Sequence, residues 1–206
     1  MDAIAVTRKR CWQYKFVLEF DIVGLFDEMC HELTMKAVKF HTDNKWLLLY
    51  IERWLKAPLK MPDGTLVERD RGTPQGGVIS PVLSNLFLHY VFDKWMQRTF
   101  PHIPWVRYAD DGLVHCNSHE EALGILMALE ARFGECGLKM HPEKTKIAYC
   151  GTDKTPDIPD IRSEFTFLGF CFRARGAINK KTMEVFKGFL PAVSNENLKK
   201  MRRTIR

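Results

Sequence analysis

At 206 residues, with 46% hydrophobic and 12% aromatic side chains, the chain is long and apolar enough to bury a core of its own, which excludes a disordered protein. A formal charge of +6 and a pI near 9.0 point to an acidic partner, nucleic acid ahead of a membrane surface. No stretch is apolar enough to span a bilayer and no secretory pattern opens the chain, so an intracellular, cytoplasmic setting without a membrane partner is expected. The six cysteines, Cys11, Cys30, Cys116, Cys136, Cys150 and Cys171, form no C-x-x-C pair. They read as small buried apolar residues rather than a zinc site or a disulfide framework.

The chain begins with a basic run, Arg8-Lys9-Arg10, followed by Trp12 and Tyr14. Phe16-Val17-Leu18-Glu19-Phe20-Asp21-Ile22 reads as a strand, since aromatic and aliphatic residues dominate it and alternate with Glu19. Asp21 stands at its end. Inside a buried strand an aspartate is costly unless paired or bound to a metal; its other reading is the start of a turn at Gly24. Residues 27 to 41 have helical spacing, with Met29, Leu33, Ala37 and Val38 on one side and Glu32, Lys36 and Lys39 on the other. Thr42-Asp43-Asn44 offers an N-cap to a second helix carrying Leu47, Leu48, Ile51, Trp54 and Leu55, which Pro58 ends. Met61-Pro62-Asp63-Gly64-Thr65 is a tight turn inside a short hairpin.

In Arg71-Gly72-Thr73-Pro74-Gln75-Gly76-Gly77-Val78-Ile79-Ser80-Pro81 the adjacent glycines leave backbone bare, which suits either a loop approached closely by a ligand or a flexible connection. Ser80 reads as an N-cap and Pro81 as the first residue of a helix with Leu83, Leu86, Tyr90 and Trp95 inward. Ser118 caps a helix whose Ala122, Leu126, Leu129, Phe133 and Cys136 recur at helical spacing, and Gly137 stops it. Leu138, Met140 and then Ile147, Ala148 and Tyr149 read as a returning strand interrupted by residues 141–146. Residues 151–163 read as a surface loop and Phe165 to Phe172 as one strand, with Gly169 leaving room for a close approach. Ser194 is an N-cap before a stripe of Leu198, Met201 and Ile205, where the sequence stops, so a chain cut inside or just before another domain is expected.

One stretch breaks an otherwise apolar hairpin. Arg107-Tyr108-Ala109-Asp110-Asp111-Gly112 lies between Ile103, Trp105 and Val106 on one side and Leu113, Val114 and Cys116 on the other. Neighbouring strand side chains point to opposite faces, so two ionised aspartates cannot both enter a dry core. At a hairpin tip they either converge on a cation or form an ordinary Asp-Asp-Gly turn. The order of elements contains strand, helix, strand, strand, helix, strand, the split βαβ pattern, so the expected fold class is α+β: an antiparallel, ferredoxin-like sheet backed by helices. In it Asp21 comes beside Asp110 and Asp111, and three carboxylates at a sheet edge of a basic protein suit two hard divalent cations.

Five segments, Phe20-Asp21-Ile22-Val23-Gly24-Leu25-Phe26-Asp27, Gly72 to Pro81, Tyr108-Ala109-Asp110-Asp111, Gly137 to Lys146 and Phe167-Leu168-Gly169-Phe170, resemble in order the palm motifs of reverse transcriptases. The form resembles the bacterial group II intron-encoded type, the maturases. The resemblance implies a polymerase palm with part of the fingers over 1–192 and the start of a truncated thumb or maturase region over 193–206. It implies an RNA-directed DNA polymerase that adds dNTP to a DNA or RNA primer on an RNA template with two Mg2+ ions, Mn2+ being a substitute, and group II intron RNA as a partner. Asp21, Asp110 and Asp111 take the catalytic, metal-binding places, with the Ile22 carbonyl as a further ligand. Lys144 takes the place of a lysine proposed to protonate pyrophosphate; it also reads as a solvated phosphate contact.

By the same resemblance, the backbone of Val23, Gly24 and Leu25 receives the triphosphate, and Phe26 lies under the sugar and excludes a 2′-hydroxyl, though it also reads as an ordinary core residue. Gln75 and Gly76 check the templating pair, and Leu168 and Gly169 touch the primer end. Valine stands at 23 where group II members commonly carry lysine, and the resemblance places the family's basic, triphosphate-clamping fingers segment ahead of Arg8 and the thumb and RNA-splicing region after Arg206, so both are expected to be missing from this chain. Two other readings use the same residues. One is a maturase-like protein that holds intron RNA through Arg8-Lys9-Arg10 and Lys199 to Arg206 without synthesis; the other is a palm-fold nucleotide cyclase, against which Gln75-Gly76-Gly77 and Lys144-Thr145 argue.

Overall fold

The computed structural model describes residues 2–74, 76–179 and 182–205; Gln75 and the side chain of Ile205 lie outside the described residues. In chain order the first elements are α1 (Ala3–Cys11), β1 (Phe16–Phe20), α2 (Leu25–Glu28), α3 (His31–His41), α4 (Lys45–Lys56), β2 (Leu59–Lys60) and β3 (Leu66–Val67). There follow α5 (Ser80–Leu88), a π-helical turn (His89–Asp93), α6 (Lys94–Thr99), β4 (Trp105–Tyr108), β5 (Asp111–Cys116) and α7 (His119–Glu135). The last are β6 (Lys146–Tyr149), β7 (Glu164–Phe167), β8 (Phe170–Ile178), β9 (Val185–Val193) and α8 (Asn195–Ile205). The chain divides into two compact units, one of residues 1–21, 103–127 and 142–206, the other of residues 22–102 and 128–141.

The first unit holds the expected sheet. Its strands run β4-β5-β1-β6, every neighbour antiparallel, which is the split βαβ order. A second antiparallel sheet, β7-β8-β9, packs on it through Val17, Leu113, Ala148, Phe165, Phe167, Phe172 and Phe189. Phe165 and Phe172 stack at 4.9 Å with planes 4° apart. Each such buried ring contributes about 1.5–3 kcal/mol of hydrophobic stabilisation. The single strand expected over 165–172 is two strands, because Leu168 (φ 48°) and Gly169 (φ 78°) both take left-handed backbone and close a two-residue hairpin between Phe167 and Phe170. Neither α1 nor the long β8–β9 pairing was apparent from the pattern. The Ser194 cap is present: its hydroxyl accepts from the Asn197 amide at 3.3 Å. Cys11, Cys116, Cys136 and Cys150 are buried, whereas Cys30 and Cys171 are only partly so; all six thiols are free.

In the second unit the helix expected over 27–41 is broken. It makes one turn, Leu25–Glu28, and restarts at His31. The Gly72 amide donates to the Met29 carbonyl at 2.8 Å and the Thr73 amide to the Phe26 carbonyl at 2.6 Å, taking acceptors that a continuous helix would have used. His31 Nε2 lies 2.6 Å from the Gly72 carbonyl and fixes the same loop. Asn44 caps α4 as expected, accepting from Trp46 and Leu47, but only Ile51 and Leu55 of the apolar stripe are buried, and Leu47 and Trp54 face solvent.

Ser80 is not an N-cap. That position is Ile79, and the buried Ser80 hydroxyl donates to the Pro74 carbonyl at 2.6 Å and lies 2.9 Å from Thr73 Oγ1, tying the loop to α5. Along α5, the π-helical turn and α6 the inner face is Leu83, Phe87, Leu88, Val91, Phe92 and Met96 rather than one containing Leu86, Tyr90 and Trp95. The π-helical turn adds a residue and rotates the helix beyond it. Arg132 donates from Nε to the Val91 carbonyl (3.1 Å) and from Nη2 to the Tyr90 carbonyl (3.4 Å), supplying donors at the wide turn.

His115 on β5 is fully buried in the first unit, and among the described residues neither ring nitrogen has a hydrogen-bond partner. Burial, and then the charge of Arg10, push its pKa from 6.5 down to about 3. The unfolded imidazole takes up a proton that the folded one refuses, so stability is intact above pH 6.5 and declines as the pH falls from there toward 3. Between pH 6.5 and 5 this group costs about 2 kcal/mol. His115→Leu is expected to flatten that decline, measured as a smaller drop in melting temperature between pH 8 and pH 5 than in the wild type.

Candidate active site

Strand register brings the carboxylates together. β1 pairs antiparallel with β5, the last partners being Phe20 and Gly112. The residue after Phe20 and the residue before Gly112, Asp21 and Asp111, therefore emerge at the same end of the sheet. A Cβ at position 112 would meet the Phe20 ring, so only glycine lets the two strands close there. Asp110 sits in the two-residue loop between Tyr108 and Asp111; Ala109, at φ 53°, is held in left-handed backbone while Arg107 Nη1 donates to its carbonyl at 2.9 Å.

Asp21, Asp110 and Asp111 line one cavity of about 500 Å³ together with Glu19, Lys144, Lys146, Arg162 and strand β7. Asp21 is mostly buried, at 14% exposure, and the Lys144 ammonium donates to its Oδ2 at 2.5 Å, which raises the lysine pKa. Asp111 keeps solvent access, yet partial burial raises its pKa and the charges of Asp110 and Asp21 raise it further, with Lys144 opposing them.

Glu19 was not among the expected site residues. Burial pushes its carboxyl up to about 7, Asp111 and Asp21 add to this, and Lys146 and the Thr166 amide oppose it. The available signal was its position two residues before Asp21, which puts both side chains on one face of the strand. Among the described residues no three His, Cys, Asp or Glu side chains stand close enough to share one metal ion; the cationic partner of Asp21 is Lys144. The donor chemistry nevertheless fits a hard divalent cation: three carboxylates face one cavity, and the pKa of Asp111 is raised by burial and then by the charges of Asp110 and Asp21, both of which a bound cation would offset.

Leu168 and Gly169 also belong to this unit but do not line the cavity. Leu168 packs against the aromatic core, and the Gly169 carbonyl accepts from the Ser194 amide at 2.9 Å and from Asn197 Nδ2 at 3.3 Å. A Cβ on Gly169 would meet Asn197, so at this position the close approach is made by α8. Ile22, Val23, Gly24, Leu25, Phe26 and Gly76 belong to the second unit. There Ile22 is buried and bridges to Met140, Val23 is exposed with its amide donating to the Lys139 carbonyl, and Gly24 is left-handed at the start of α2. Phe26 is half-buried, and its carbonyl carries the loop that leads through Thr73 and Pro74 to Gly76.

Residues 2–172 match the reverse transcriptase (RNA-dependent DNA polymerase) family. The chain belongs to the reverse transcriptase family. Protein YkfC of Escherichia coli (strain K12) is 26% identical, the match covering 75% of this chain and 46% of that protein. The group II intron-encoded protein LtrA of Lactococcus lactis subsp. cremoris is 30% identical over 82 residues, 40% of this chain and 13% of that protein. The chain thus spans less than half the length of these curated relatives. Apo telomerase from Candida Tropicalis, truncated from its C-terminal domain, shares the fold with a TM-score of 0.62 at 15% identity, over 90% of this chain and 39% of that one.

Because Phe20 is buried and cannot yield, Gly112→Ala in this reverse transcriptase domain is expected to separate β1 from β5 at the cavity end. The cost is about 1–3 kcal/mol of stability. A lower midpoint in urea unfolding, with Gly176→Ala in β8 as a glycine control that is neither crowded nor in left-handed backbone, measures it.

Proposed function

We propose that the chain is the catalytic palm of an RNA-directed DNA polymerase of the group II intron-encoded type, palm and part of the fingers over 1–192 and the beginning of a thumb over 193–206. The observation that carries this reading is the β1–β5 register, which sets Asp21 next to Asp111 with Asp110 in the adjoining loop, in a chain of this family.

In this reading Asp21, Asp110 and Asp111, with the Ile22 carbonyl, hold two Mg2+ ions, which Mn2+ can replace. Bound there, the metal supplies charge neutralisation and Lewis acidity for transfer of a nucleotide from dNTP to a primer 3′-oxygen. The remaining work falls to side chains and backbone. The backbone from Val23 to Leu25, exposed at Val23 and Gly24, receives the triphosphate, and the half-buried ring of Phe26 crowds the sugar where a 2′-hydroxyl would project. Gln75 and Gly76 lie against the templating pair, and Leu168 and Gly169 against the primer end. Lys144 Nζ, an ammonium on a largely exposed side chain, leaves Asp21 and gives its proton to an oxygen of the departing pyrophosphate. The template is RNA and the primer DNA or RNA; intron RNA is the further partner proposed.

Primer extension on an RNA template with magnesium and deoxynucleotides tests the assignment. Asp110→Asn and Asp111→Asn are each expected to abolish extension while RNA affinity stays within about two-fold, since metal ligands are lost and the fold is kept. Extension by either variant at the wild-type rate would overturn the carboxylate assignment. Tight RNA binding with no synthesis by the unaltered chain, alone or joined to fingers and thumb segments, would favour an RNA-holding protein instead. Phe26→Ala is expected to admit ribonucleotides in the same assay; unchanged sugar discrimination would return Phe26 to a purely packing role.

A further inference from the structure

A second cavity, of about 620 Å³, opens at the end of the catalytic sheet opposite Asp21 and Asp111. It is lined by residues 11–15 ahead of β1, residues 149–153 at the end of β6 and residues 186–189 of β9, all within the first unit. Two aromatic rings stand at it with much of their surface in water: Trp12, 54% exposed, and Phe186, 42% exposed. Trp12 is held in place, its Nε1 donating to the Phe189 carbonyl at 3.0 Å and the Arg8 guanidinium lying 5.4 Å from the ring centroid.

Among the described residues the two lysines of this site form no close ion pair. Lys15 and Lys187 line the cavity, are exposed, and both act on Asp153 through their charge, but the Asp153 carboxylate already accepts from the Tyr149 hydroxyl at 2.6 Å. Scattered exposed apolar side chains are ordinary. Two aromatic rings converging on one cavity, with Arg8, Lys15 and Lys187 around them, are the combination that stacks bases and neutralises phosphates. An acidic peptide would answer the lysines and leave the rings idle.

We propose that this cavity binds a single-stranded segment of RNA, with a base stacked on Trp12 or Phe186 and the flanking phosphates on Arg8, Lys15 and Lys187. The site performs no chemistry and does not depend on the carboxylate assignment; the choice of RNA over DNA rests on membership of an RNA-dependent polymerase family.

Fluorescence anisotropy of the 206-residue chain with a labelled 12-nucleotide single-stranded RNA tests it. Phe186→Ala and Trp12→Ala are each expected to weaken binding roughly ten-fold. The double variant Lys15→Glu/Lys187→Glu should weaken binding further and reduce its salt dependence. Trp12 also braces Phe189, so the Phe186 and lysine variants, all at exposed positions, carry the decision if Trp12→Ala does not fold. Wild-type affinity in those variants overturns the proposal. So does displacement of the RNA by polyglutamate with the same potency from Phe186→Ala as from the wild type, which would reduce the site to charge alone. Tighter binding of the same sequence as DNA, lost in the same variants, overturns the choice of RNA.

Discussion

The antiparallel ladder between β1 and β5 is the constraint on which the candidate active site depends. Carboxylates repel one another, and nothing in the side chains of Asp21 and Asp111 would bring them together. Backbone hydrogen bonds from Phe16–Cys116 to Phe20–Gly112 do so, with Phe20 filling the space above Gly112. The pKa of Asp111 is raised first by partial burial and then by the neighbouring charges of Asp110 and Asp21, and Lys144 opposes the rise. Charge is thus concentrated by a scaffold whose own stability comes from elsewhere, mainly the aromatic cluster between the two sheets.

The second unit uses the same economy of backbone contacts for a different purpose. The loop at 71–74 has no sheet to support it, so it borrows carbonyls from the segment at 26–29 and a hydroxyl from Ser80. Phe26 and the approach to Gly76 are consequently parts of one hydrogen-bonded assembly. A change in either segment is transmitted to the other through two short bonds rather than through a packed core.

Much of this was legible in the residues. The strand at 16–20, the Asp-Asp hairpin, the caps at Asn44, Ser118 and Ser194 and the turn at Pro62-Asp63-Gly64 all rest on local chemistry, and all are present. The misreadings have long-range or stereochemical causes. The break after Glu28 is made by amides more than forty residues away, which no local periodicity contains. Ser80 has the composition of a cap but is one residue inside the helix, turned toward Pro74. Leu168 gave no sign of left-handed backbone because leucine seldom adopts it. Glu19 was passed over because a glutamate in an alternating strand reads as the solvent face, whereas here that face is the floor of a cavity.

The π-helical turn at His89–Asp93 gives one continuous helical rod two different registers. Before it the buried positions include Leu83 and Phe87; within it and after it they are Val91, Phe92 and Met96. An extra residue accommodated in this way leaves both flanking helices regular. Aligning this segment with a relative that lacks the wide turn therefore requires a gap within the helix, where alignments are least inclined to place one. Without that gap, the core positions of one protein are matched to the surface of the other for the whole of α6.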